Sequence, residues 1–255
     1  MYSVLLVIVG LAVGSFLNVC IHRIPRKISI IRPRSRCPEC GKPLEARDNI
    51  PLLSFLLLGG KCRHCGKPIS FRYPAVELLA AALLVLCHLK YGLSLELVVY
   101  YAFSCAMLAV SFIDYDHRII PDVINLAFMV IGLACSFLTS LGFLSSVLGI
   151  LIGGGSLALV AFLYLRVTGV EGMGGGDVKL ASMIGAFLGW KGALLVIFLA
   201  SLGGALLGLV LILVFRKSRR TPIPFGTFMA PAAVFVALYG PRLIELYTSV
   251  VGEGP

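Results

Sequence analysis

The sequence predicts an all-α, multi-pass membrane protein with a small metal-binding insert, on three observations. Hydrophobic residues fill 59% of the 255 positions and charged residues only 13%, against roughly 45–50% and 25% in soluble domains. The apolar residues fall in runs of about the 17–25 residues that a spanning helix needs. The charge is concentrated: twelve Lys/Arg against three Asp/Glu between residues 22 and 73 leave that segment at +9 of a formal +10. Such a composition excludes an ordinary soluble enzyme, a disordered chain and a secreted disulfide scaffold.

About eight spans are expected, at 2–21, 74–89, 97–113, 123–139, 146–165, 178–190, 192–215 and 225–247. The first has no basic n-region and its charge follows it, so it reads as an anchor and not as a cleaved signal peptide. The run at 178–190 is short for an upright crossing and suggests a re-entrant or broken helix, tolerated where protein or water covers the backbone. Charge bias orients the chain. With the N-terminus outside, nineteen Lys/Arg fall on the cytoplasmic side, including Arg118, Arg166, Lys179 and the cluster Arg216, Lys217, Arg219 and Arg220. Only Lys90, Lys191 and Arg242 fall outside. If 178–190 did not cross, the Arg216–Arg220 cluster would be outside, which favours eight crossings. The expected division is 1–21 as the first transmembrane helix, 22–73 as a cytoplasmic basic insert and 74–255 as a membrane-embedded core. Gly204 with Gly208, and Gly153 to Gly155, suggest close helix packing.

The insert lacks interleaved aromatics and sits between apolar spans, so its basic charge points to topology and anionic lipid, not to nucleic acid. Within it, Cys37-Pro-Glu-Cys40-Gly-Lys-Pro and Cys62-Arg-His-Cys65-Gly-Lys-Pro form an internal repeat. Each is a C-x-x-C knuckle in which backbone N–H groups can face the sulfurs. Four thiolates suit a tetrahedral, structural Zn²⁺ in a compartment that disfavours disulfides. His64 is expected to face solvent, and Leu52–Leu58 is apolar enough to lie on the membrane surface. Cys20, Cys87, Cys105 and Cys135 are isolated in apolar spans and read as packing residues.

With only twelve acids in the chain, those at span ends are candidates for chemistry. One cluster runs from Asp114 through Asp116 to Pro121-Asp122; the other is Gly174-Gly-Gly176-Asp177-Val-Lys179. Two carboxylates held close in a partly dry site share a proton, so one can act as base and the other as acid on a bound water. Asp114 ends an apolar helix without an evident structural role, and Asp177 follows a glycine run that admits close approach. Asp116 reads as a solvated turn residue, and Asp122 either as a helix N-cap or as a catalytic acid. Lys179 could keep one carboxylate ionised. Glu77 either serves the helix dipole or reaches into a cavity.

At these residues the chain resembles the type IV prepilin peptidase family, the G-x-G-D aspartic peptidases that are also N-methyltransferases. Gly14-Ser-Phe-Leu-Asn18-Val with Arg23-Ile-Pro25, the two C-x-x-C pairs, Ile113-Asp114 through Pro121-Asp122, Gly174-Gly-Gly176-Asp177-x-Lys179-Leu180 and Pro224-Phe225-Gly226 match its segments in order. The resemblance implies catalytic Asp114 and Asp177, supported by Gly174, Gly176, Lys179 and Asp122. It implies removal of the leader from prepilins or pseudopilins at the cytoplasmic face of the bacterial inner membrane. It also implies methylation of the new N-terminal amine with S-adenosylmethionine, for which Asn18, Arg23 and Glu77 are candidate contacts.

Overall fold

A computed structural model describes residues 2–214 and 224–252; the basic cluster Arg216, Lys217, Arg219 and Arg220 lies outside them. Among the described residues there are eight α-helices and no strand longer than an isolated bridge. They are α1 (Tyr2–Arg23), α2 (Leu53–Leu57), α3 (Arg72–Tyr91), α4 (Leu95–His117), α5 (Asp122–Cys135), α6 (Phe143–Thr168), α7 (Gly175–Leu213) and α8 (Gly226–Gly252). Six are long and apolar enough to cross a membrane. The apolar α5 is shorter, at 14 residues. The expected runs 178–190 and 192–215 are consecutive parts of α7, which breaks at Gly189 (φ 68°, ψ 179°). The chain forms two compact units, Met1–Leu97 and Val98–Pro255.

In the first unit α1 packs along α3. Gly10 and Gly14, one turn apart, make the contact: a Cβ on Gly10 would stand 2.5 Å from the Cα of Ala81, and one on Gly14 2.5 Å from that of Glu77. This small-xxx-small ridge lets the two backbones touch, which is how helices gain dispersion energy where lipid offers no hydrophobic drive. The opposite face of α1 exposes Val4, Leu5, Ile8 and Phe16, as a lipid-facing surface requires. Between α1 and α3 the insert folds as the two expected knuckles with matching hydrogen bonds. The Gly41 and Gly66 amides donate to the carbonyls of Cys37 and Cys62 (2.9 Å each), and the Cys37 and Cys62 amides donate to Lys42 and Lys67 (3.0 and 2.8 Å). Both glycines are left-handed (φ 70° and 68°), the conformation that closes such a turn without a Cβ penalty.

In the second unit α6 and α7 interlock at Gly149 and Gly185, where a Cβ on either would fall on the carbonyl oxygen of the other. Gly153 and Gly154 meet Ala181 and Ser182 in the same seam, whereas Gly155 and Gly204 have nothing within 4 Å. Among the described residues Gly204 therefore makes no close packing contact; the seam runs instead through Gly149, Gly153 and Gly154 against Gly185, Ala181 and Ser182. The break at Gly189 removes amide donors from the preceding turn, and unpaired carbonyls are costly in an apolar interior. Two hydroxyls compensate. Ser146 of α6 donates to the Ala186 carbonyl at 2.8 Å, and the Tyr100 hydroxyl of α4 reaches the Phe187 carbonyl at 3.5 Å. The Phe187 ring stacks on Phe103 of α4 with centroids 4.6 Å apart and tilts against Phe128 of α5 at 6.4 Å. Around this residue α4 and α5 are set against α7.

Two substitutions separate the roles of the glycines. Gly185→Val is expected to cost about 3 kcal/mol, because the added methyls cannot be accommodated against backbone. Gly204→Ala, in open space on a helix, is expected to be neutral or to stabilise by up to about 1 kcal/mol. Thermal unfolding in detergent measures both.

Candidate functional site

Three helix ends of the second unit meet around Ile120. The α4 helix carries Asp114 near its C-terminus, where the side chain is 4% exposed. Its Oδ2 accepts hydrogen bonds from the Thr227 amide at 2.9 Å and the Thr227 hydroxyl at 3.2 Å. The Gly226 amide donates to the same carboxylate. These donors belong to the first turn of α8, whose amides have no intrahelical partner. An acid from another helix thus caps α8 and sits at the positive end of its dipole.

Asp177 is held by the same physics within its own helix. Gly174 is the N-cap of α7, in extended conformation, and Asp177 is the third helical residue. Its carboxylate accepts the Gly174 amide, which is half of a capping box. Ile120 joins the two ends. A Cβ on Gly176 would stand 3.2 Å from Ile120 Cβ, and one on Gly226 would stand 2.9 Å from both Ile120 Cδ1 and Asp114 Oδ2. Ile120 thus packs against the starts of both α7 and α8, and the Asp114 and Asp177 charges oppose one another. Asp177 is partly accessible, whereas Asp114 is buried.

Asp122 and Lys179 pair with each other. Asp122 is the first residue of α5 with Pro121 as N-cap, and no side chain caps that end. Its carboxylate instead accepts Lys179 Nζ at 2.8 and 2.9 Å in a half-exposed ion pair. The N-cap expected of Asp122 is thus replaced by a tie between α5 and α7, and Lys179 answers Asp122. Thr227 and Ile120 were not legible as site residues. Thr227 directly follows the Pro224-Phe225-Gly226 segment, the nearest signal to it; nothing marks Ile120 before the helices are placed.

In the first unit the sulfurs of Cys37, Cys40, Cys62 and Cys65 all lie within 4.8 Å of one another, with Cys37 and Cys65 at 4.0 Å. A tetrahedral ion with bonds of about 2.3 Å needs sulfurs roughly 3.8 Å apart, so the four could hold a metal ion. The Cys65 and His64 amides point at the Cys62 sulfur and draw its thiol down to about 7. Cys65 accepts the Lys67 amide, yet burial and the neighbouring thiols leave it at about 11. His64 is exposed, as expected. Each acid of the insert is paired: Glu39 with Lys67 across the two knuckles, Asp48 with Arg63 at 2.7 Å, and Glu45 with Arg47 at 2.7 Å. The Arg63 guanidinium holds the Asp48 carboxyl below its ordinary range.

The three remaining candidates, Asn18, Arg23 and Glu77, line one hollow of the first unit. Arg23 is committed to the loop, donating to the carbonyls of Ser29 (2.9 Å) and Pro33 (2.8 Å). Asn18 donates from Nδ2 to the Tyr73 carbonyl at 3.0 Å. Glu77 is 7% exposed and accepts the Leu52 amide at 2.7 Å. It lies beyond the first turn of α3, so the dipole role drops away.

A family model described as the bacterial peptidase A24 N-terminal domain matches residues 8–91, and one described as the type IV leader peptidase family matches 101–209. The prepilin leader peptidase/N-methyltransferase of Pseudomonas aeruginosa is 36% identical over 270 residues, covering 96% of this chain and 93% of its own. The chain belongs to the type IV leader peptidase family. Proteins of the same name from Stutzerimonas stutzeri (38% identical, covering 94% of this chain and 91% of their own) and Aeromonas hydrophila (36%, 97% and 94%) are also similar. No solved structure matches the chain. The family's two matched regions fall one in each compact unit, apart from the ends of the units.

The Asp122–Lys179 pair is half-exposed, and exposed pairs couple by less than about 1 kcal/mol. A double-mutant cycle of Asp122→Asn and Lys179→Met, followed by thermal unfolding, is expected to return a coupling in that range that shrinks further in high salt.

Proposed function

We propose that this chain is a membrane aspartic endopeptidase that removes the leader peptide from type IV prepilins and pseudopilins, and then methylates the new N-terminal residue. The observation that carries the reading is the meeting of Asp114, Asp177 and the α8 N-terminus around Ile120, in a chain whose relatives bear both activities in their names. The catalytic residues are Asp114 and Asp177. They hold a water between them; one takes its proton as it attacks the scissile carbonyl, and the other protonates the departing amine. The base ends with a proton taken from water and the acid has lost its own to the amine, so a second turnover needs one proton passed back between the two carboxyls. Thr227 and the α8 amides keep Asp114 in place through this exchange. Gly174 and Gly176 bring Asp177 to it, and the Asp122–Lys179 tie fixes the start of α7.

Charge bias supports an N-terminus outside and the dyad at the cytoplasmic face of the inner membrane. The insert's +9 supports contact with anionic lipid. Cys37, Cys40, Cys62 and Cys65 hold a structural Zn²⁺, which joins two knuckles that have little core of their own. The methyl donor is S-adenosylmethionine, which supplies an electrophilic methyl group to the freed amine.

Asp114→Asn and Asp177→Asn are each expected to lower cleavage of a purified prepilin at least about a hundredfold; full cleavage by either would remove that residue from the dyad. Thr227→Val keeps its amide but loses the hydroxyl, and is expected to lower the cleavage rate about tenfold. Elemental analysis is expected to return one zinc per chain, and none in a Cys37→Ser/Cys62→Ser double variant; reduced wild-type protein free of zinc would contradict the assignment.

A further inference from the structure

The second unit holds a buried side chain that the chemistry assigned to Asp114 and Asp177 does not use. Asn125, the fourth residue of α5, is 1% exposed, and both its Nδ2 and its Oδ1 are enclosed without a hydrogen-bond partner. The buried serines of this unit and Asp114 are committed. Ser104, Ser136 and Ser146 donate to the carbonyls of Tyr100, Leu133 and Ala186 (2.7, 2.7 and 2.8 Å), and Asp114 accepts from Thr227. The Asn125 carboxamide instead leaves its N–H donors and its carbonyl oxygen unanswered, in an interior where each such group is costly.

The register of α5 against α7 places this amide. At one end of their contact Asp122 meets Lys179; at the other, a Cβ on Gly132 would stand 3.0 Å from Ala186 Cβ and 2.7 Å from the Phe187 ring. The two helices therefore run side by side in the same direction, away from Asp177. Asn125 falls one turn beyond Asp122, roughly 4.5 Å further along α5, beside the stretch of α7 that carries the buried Leu180, Met183 and Ile184. Their side chains offer no hydrogen bond. An enclosed water needs about two to four polar partners, and a water here would find one polar side chain. The site suits a ligand that brings a donor and an acceptor side by side.

The main chain of a peptide substrate is such a ligand. A chain held extended for cleavage exposes N–H and C=O groups, and in an apolar surrounding no water answers them. A carboxamide meets one peptide unit with one acceptor and one donor. Asn125 is closed off between α5 and α7, so a chain reaches it by parting those helices. At the end nearest Asp177 they are joined by the half-exposed Asp122–Lys179 pair, which resists little. With the leader on the cytoplasmic side, Asn125 lies on the membrane side of the two acids, where the retained part of the prepilin enters. We propose that Asn125 is a substrate-binding residue, whose carboxamide pairs with a peptide unit on the C-terminal side of the scissile bond as the prepilin enters between α5 and α7. The inference rests on the peptidase reading above and adds the group that holds the substrate's main chain.

The test uses the full chain in detergent and synthetic prepilin peptides in which one backbone amide at a time, over the first few residues after the cleavage point, is replaced by an ester. The ester keeps the shape of the chain and removes the N–H that Asn125 Oδ1 accepts. At one position it is expected to lower kcat/KM of the wild type about tenfold. Asn125→Ala is expected to cleave the unmodified peptide with kcat/KM about tenfold lower and to lose nothing further at that ester position. It is also expected to melt near the wild-type temperature, since it gives up a group with no partner. Cleavage by Asn125→Ala at the wild-type rate overturns the contact, as does an ester penalty that the variant keeps in full, or a wild type indifferent to every ester. A variant that does not fold overturns it as well, because the amide then serves the resting structure. These outcomes leave the peptidase reading standing. A wild type that leaves the unmodified prepilin uncut overturns that reading, and the contact falls with it.

Discussion

Backbone groups at helix ends have no partner within their helix, and in an apolar surrounding water cannot supply one. The second unit is organised around that constraint. At the α8 N-terminus the free amides receive the Asp114 carboxylate. At the α7 N-terminus the N-cap amide receives Asp177. At the Gly189 break the freed carbonyls receive hydroxyls from Ser146 and Tyr100. The same rule thus positions both acids and allows the long helix to bend. The acids are not placed in the interior at the expense of the fold, because each satisfies a backbone terminus that would otherwise be bare.

The first unit solves a different problem. Its insert is 52 residues long, is rich in like charge and buries few large apolar side chains between Arg23 and Arg72. Local hydrogen bonding therefore does most of the shaping. The two knuckles close on left-handed glycines, three ion pairs neutralise the three acids, and one buried carboxylate of α3 takes the Leu52 amide. Four sulfurs at the centre supply the place where a single ion can replace a core.

Much of this was legible in the sequence where a residue type admits few uses. Paired C-x-x-C knuckles, acids at the ends of apolar runs and an apolar run too short to cross upright pointed to the sulfur cluster, to two acids at helix ends, and to the broken α7. What failed depended on the rotation of helices about their axes. Gly204 and Gly149 look alike in one dimension, yet one faces open space and the other a backbone oxygen. The ridge at Gly10 and Gly14 has the same spacing as the one chosen at Gly204 and Gly208, and only its place opposite Ala81 and Glu77 distinguishes it. Lys179 was set two residues from an acid in sequence, but helical geometry turns it toward an acid 57 positions away. Thr227 had no signal of its own, because its value lies in the amide that any residue carries.

Gly14 has a reach that its size conceals. Its α-carbon lies against the backbone of Glu77, and the Glu77 side chain holds the amide of Leu52, a non-glycine residue in left-handed backbone (φ 59°). Bulk added to the first helix would shift this carboxylate and release a turn more than thirty residues further along the chain. The first helix and the insert are in this sense one mechanical part, and a lesion that looks like a defect of the helix would be felt at the insert.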